Sequence, residues 1–143
     1  MRRFKFNLEK ILQIRKFKEE ECKIFLGQAI SVLNMIENQI KETALKHHNA
    51  SIQRFNNSAE IMSWNTYILR LEQEAEKLSG QAAQAQLVVE EKRELYLEAL
   101  KDLKALEKLR EKQQKEYRRE MLKKEMNEVD ELTAARRIAA ASF

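Results

Sequence analysis

The sequence predicts an all-α fold: two long helices forming an antiparallel coiled-coil hairpin, the second helix longer than the first. Three observations predict it. A 3.5-residue apolar repeat is held from Ile61 to Tyr117, turn formers are nearly absent, and a single cluster of polar helix breakers sits in the first half of the chain. Stepping in alternating threes and fours from Ile61 leads through Trp64, Ile68, Leu71, Ala75 and Leu78 to Leu103, Leu106 and Tyr117. Fourteen of these seventeen positions are apolar, and the residues between them are mostly Glu, Lys, Arg and Gln. An apolar stripe at 3.6 residues per turn drifts by about 20° per heptad, so a strict repeat of this length calls for a partner helix. The 143 residues include no Pro and two Gly, and 35% are charged. A mean hydropathy of −0.64 is too polar for a broad core but sufficient for a narrow seam. A β-rich or α/β domain needs turn punctuation that is missing here.

The first helix is expected over about residues 7–55. Asn7 is a fair N-cap, with Lys10 rather than Glu three residues on, so its capping box is incomplete. Its seam runs Leu8, Leu12, Arg15, Glu19, Cys22, Leu26, Ala29, Leu33, Ile36 and Ile40, of which eight in ten are apolar. Arg15 and Glu19 have two readings: a buried pair that specifies register, or a locally splayed, solvated seam. After Ile40 the apolar residues fall on a displaced track, Leu45, His48, Ile52, Phe55, Ala59 and Met62, which predicts a phase break. Asn56-Asn57-Ser58 is the strongest breaker in the chain, and Asn57 with Glu60 has capping-box spacing. The reversal is therefore expected at about 55–58, with Ser63 as a second possible start. The second helix should span about 58–125, within one coiled-coil hairpin covering residues 1–143; the Ala-rich tail, Asp130–Phe143, has two readings, fraying or contributing to binding.

A reversal near residue 57 sets residue i against about 114 − i, which brings Leu8 near Leu106 and Leu26 near Val88 and Val89. The arms would be ~75 Å long. Gly27 and Gly80 either let the backbones approach closely or are tolerated in the helix interiors. Charge is unevenly placed. Lys104–Lys124 holds nine Lys/Arg against four Glu, a net of +5; the first twenty residues hold seven against three, a net of +4; residues 58–78 hold two against four, a net of −2. Either the two ends serve different partners, or the surface is merely solvated.

Chemistry of the catalytic kind is not encoded. His47 and His48 are adjacent, so on a helix they point ~100° apart. There is no phosphate-binding glycine loop, Cys-x-x-Cys or nucleophile elbow. The carboxylates sit beside Lys and Arg on exposed faces, and Cys22 reads as a small core residue. The sequence thus predicts a protein that is not an enzyme, with no cofactor and no metal. The lone cysteine fits a reducing compartment, and no stretch approaches the ~20 apolar residues of a membrane span. A cytoplasmic protein without direct membrane insertion is expected.

The order and spacing of several motifs resemble the FliJ family, the small coiled-coil component of the flagellar type III export apparatus. The opening Phe4-Lys5-Phe6-Asn7-Leu8-Glu9-Lys10-Ile11-Leu12, with Arg15 and Glu19-Glu20, is similar to the family's Phe-x-Phe-x-Leu start. Trp64-Asn65-Thr66-Tyr67-Ile68-Leu69-Arg70-Leu71 is similar to the aromatic-led segment opening its second helix. Lys92-Arg93, Ala99, Leu106–Lys112 and Asp130-Glu131 continue the likeness. The resemblance implies a two-helix stalk like the gamma subunit of rotary ATP synthases, which stimulates the hexameric export ATPase FliI, engages the export-gate protein FlhA and helps recycle export-substrate chaperones. It implies a place at the cytoplasmic face of the inner membrane, reached through that apparatus. The candidate ATPase-binding residues are Phe4, Phe6, Arg15, Leu109, Arg110 and Tyr117, and the aromatics among them could equally be hairpin-end packing. The candidate gate-binding residues are Gln39, Tyr67, Leu71 and Leu78, whereas first-helix positions often aromatic in the family fall at Lys46 and Ala50.

Two other functional readings follow from the residues alone. A structural scaffold could dimerise in parallel through the same seam, without reversal at Asn56–Ser58. A nucleic-acid-binding helix would rest on Lys104–Lys124, but interleaved Glu and the lack of stacking aromatics argue against it.

Overall fold

The computed structural model describes residues 3–141; Met1, Arg2, Ser142 and the tail's apolar end, Phe143, lie outside them. Two helices account for most of the chain: α1, Glu9–Ser51, and α2, Ser58–Ala141. They pack as an antiparallel hairpin with α2 the longer arm, the fold the repeat predicts. There are no cis peptides and no positive-φ residues among those described, so the reversal is made without a left-handed glycine.

Helix α1 ends about four residues before the expected boundary, for a local reason. Two of its last carbonyls take side-chain donors, and the Gln53 amide also donates to the Ala50 carbonyl at 3.3 Å. The Ser51 hydroxyl donates to the His48 carbonyl at 2.7 Å, and the Trp64 indole Nε1 donates to the Ala50 carbonyl at 2.6 Å. Residues 52–57 then run outside the helices. At the far side Asn57 is the N-cap of α2: its Oδ1 accepts from the Glu60 amide at 2.8 Å, while the Glu60 carboxylate accepts from the Asn56 amide at 3.2 Å. The first bond is the cap that the Asn57/Glu60 spacing predicts; the return bond goes one residue earlier than a capping box requires, to Asn56 rather than to the N-cap itself. Helix α2 begins at Ser58, as expected, and the second possible start, Ser63, is not used. Helix α2 stays helical to Ala141, past the expected end near residue 125.

The chain forms two compact units. The first comprises residues up to Phe17 with those from Leu100 onward, and the second is Lys18–Ala99. In the first, Phe6, Leu12, Leu103 and Leu106 form the core, with Phe4 and Leu8 packed against it; Leu12 is fully buried. In the second, Leu71, Leu78, Ala85, Val89 and Ala99 of α2 are buried against α1, all of them on the repeat that begins at Ile61.

Two expectations are corrected. There is no phase break after Ile40. The inward track continues through Thr43, His47 and Ala50, with Thr43 at 5% and Ala50 at 4% exposure, while Leu45, His48, Ile52 and Met62 face solvent. Inward position follows from helical geometry in register with α2, and polar or small side chains occupy it there. The pairing sum is also larger than 114: Glu9 meets Arg110, Phe25 meets Lys92 and His47 meets Glu72. A non-helical residue covers up to ~3.3 Å against 1.5 Å in a helix, so the linker lets α2 start beyond the last turn of α1.

Candidate functional site

In the first unit, the aromatic residues proposed as contacts are largely occupied with one another. The Phe4 and Tyr117 rings lie 5.6 Å apart at 46°, and Phe6 is buried at 8% exposure. The half-buried Arg15 donates from Nη1 to the Asp102 main-chain carbonyl at 2.9 Å. Arg110 Nε lies 3.5 Å from Glu9 Oε2, a pair exposed enough to contribute little. Of the six candidates, Leu109 and Arg110 present the most surface. They share this unit with exposed Lys104 and Lys108 and with Ile14 and Phe17, which stand 66% and 69% exposed. Those two lie off the heptad track, which is why seam reasoning passed over them.

In the second unit, Glu19 of α1 lies beside the Tyr96 hydroxyl of α2. Partial burial, then the neighbouring Glu19 carboxylate, push that hydroxyl above the usual tyrosine range. Arg15 is therefore tied to α2 through the Asp102 carbonyl, and Glu19 lies beside Tyr96 of the same helix. Near the reversal, Phe55 and Trp64 stack at 5.5 Å and 57°. They border an open cleft of about 610 Å³ that also takes in Arg54, Glu60 and Tyr67. Of the gate candidates, Gln39 and Tyr67 are exposed, whereas Leu71 and Leu78 are buried in the seam at 5% and 6%. Ala50 is buried, and its carbonyl accepts the Trp64 hydrogen bond. Gly27 and Gly80 are not required by close helix approach, since a Cβ at either would meet nothing within 4 Å.

Among the described residues no three His, Cys, Asp or Glu converge as a metal site, and no helix is long and apolar enough to cross a membrane. The family model described as Flagellar FliJ protein matches residues 4–142. The chain belongs to the FliJ family. As a FliJ-family protein it is a component of flagellar protein export. Comparison with curated proteins and with solved structures returned no match.

Proposed function

We propose that this FliJ-family chain is a non-enzymatic coupling subunit that binds and stimulates the hexameric export ATPase FliI and links it to the gate protein FlhA, with a part in recycling export-substrate chaperones. The family match over residues 4–142 carries this reading. The basic segment Lys104–Lys124 supports it by supplying an electrostatic surface for docking. Leu109, Arg110, Lys104 and Lys108 are the groups that meet the ATPase, and Phe4, Phe6 and Tyr117 hold them in place. Gln39 and Tyr67 are the gate contacts, while Leu71 and Leu78 set the backbone on which Tyr67 stands. Through these partners the protein works at the cytoplasmic face of the inner membrane.

Adding the purified chain to the isolated ATPase tests the first half. Faster hydrolysis and co-sedimentation are expected; unchanged hydrolysis together with no co-sedimentation refutes it. The double charge reversal Lys104→Glu/Lys108→Glu should weaken association, most strongly at low salt. The parallel scaffold dimer is set aside, because the α2 seam it needs is covered by the chain's own first helix.

A further inference from the structure

Along one side of the seam in the Lys18–Ala99 unit, the two helices leave an apolar groove. Phe25, Ala29 and Val32 of α1 face Ala85 and Val88 of α2 around a cleft of about 260 Å³. The groove continues past Ile36 to Gly80, sharing Val32, Ala85 and Val88 between its two parts. Phe25, Val32 and Val88 are 43–53% exposed, so their apolar surface is only partly covered within the molecule. Lys92 stands at one end, 5.8 Å over the Phe25 ring, and Lys77 at the other. No carboxylate lines either part. Gly80 opens the wall further: glycine in a helix interior is unfavourable, and here α1 does not need the room it leaves. The free space lies on the groove side.

The same chain carries a complementary surface. Beyond Met121 every described residue of α2 is exposed, although the helix continues to Ala141. Leu122, Met126, Val129 and Leu132 recur at i, i+4, i+7 and i+10, and each is at least 60% exposed. That spacing confines them to roughly a third of the helix circumference. They do not extend the hairpin seam. Continued past Tyr117, the seam reaches Lys124, and Met126 lies two residues on, ~200° around the helix. Within 125–132 there are four carboxylates, Glu125, Glu128, Asp130 and Glu131, and no Lys or Arg. The stripe is ~15 Å long and the groove from Lys77 to Lys92 ~22 Å, so the one fits within the other.

We propose that the groove beside the seam receives the acidic apolar stripe, residues 122–132 of α2, from a second copy of the chain. The apolar residues of the stripe enter between Val32 and Val88, its backbone comes close at Gly80, and its carboxylates reach Lys77 and Lys92. The contact joins two different surfaces, so it produces either a reciprocal pair or a growing chain, and both need groove and stripe together. This proposal goes beyond the export reading and does not depend on it.

Sedimentation velocity of the full chain over a wide concentration range tests it. A concentration-dependent rise in mass is expected, weakened by salt. Gly80→Met should weaken association at least tenfold while raising the melting temperature, because it fills the groove and replaces a helix-interior glycine. Met126→Glu should weaken association with no change in melting. Lys77→Glu/Lys92→Glu and Glu125→Lys/Glu128→Lys should each associate poorly alone and recover when mixed. A chain that stays monomeric throughout overturns the proposal. So does association that ignores Gly80→Met and Met126→Glu, or a mixture that shows no recovery.

Discussion

Two stretches of one helix differ in what lies opposite them. Between Leu71 and Leu106, the seam residues Leu71, Leu78, Val89, Leu103 and Leu106 are at most 7% exposed; between Leu122 and Leu132, apolar side chains of similar size are at least 60% exposed. Both stretches are helical, and both are rich in Glu and Lys. The first is held by burial, worth about 1.5–3 kcal/mol for each large apolar side chain. The second relies on intrinsic propensity and on charge spacings such as Glu120 with Lys124, which contribute a few tenths of a kcal/mol each. Helicity therefore says little about where stability resides. The presence of α1 says much more.

The comparison breaks most sharply at Leu12. Leu12→Ala removes a fully buried side chain from the Phe6–Leu106 cluster and should lower stability by about 2–5 kcal/mol in urea denaturation. Leu132→Ala on the exposed stripe should stay within about 0.5 kcal/mol. If the two substitutions cost the same, burial by α1 is not what distinguishes the regions. At the reversal, Asn57→Ala should cost about 1 kcal/mol through the lost cap on the Glu60 amide, read from the thermal midpoint. Trp64→Phe should cost a similar amount, about 1 kcal/mol, by leaving the Ala50 carbonyl without its indole donor. The smallest effect is expected at Tyr96. Its hydroxyl titrates above the usual tyrosine range when folded, so the stabilisation is complete below the unfolded value and is lost as the pH rises through the folded one. Tyr96→Phe should remove that alkaline loss while leaving stability at neutral pH nearly unchanged.

The second helix was legible in the sequence because its repeat is made of large apolar residues, and the cap at Asn57 was legible from its spacing to Glu60. Helix α1 was less so past Ile40. There the inward positions are Thr43, His47 and Ala50, while the apolar Leu45 and Ile52 point outward, so residue type misreports the face. The candidate contacts show a related limit. Leu71 and Leu78 sit on the heptad track and are buried, whereas Ile14 and Phe17 sit off it and are exposed. A one-dimensional repeat identifies the seam, and outward positions become evident only once the partner helix is in place. The bonds of Trp64 to Ala50 and of Arg15 to Asp102 are beyond such reading, since each depends on a main-chain carbonyl that composition does not mark.

Cys22, the single thiol, sits half-buried at a seam position of α1. Because no other sulfhydryl competes, the rate at which a bulky maleimide consumes it becomes a stopwatch for parting of the arms. Slow reaction by the unaltered protein, hastened by any binding event that prises the helices apart, would let the working molecule report its own opening without an introduced label.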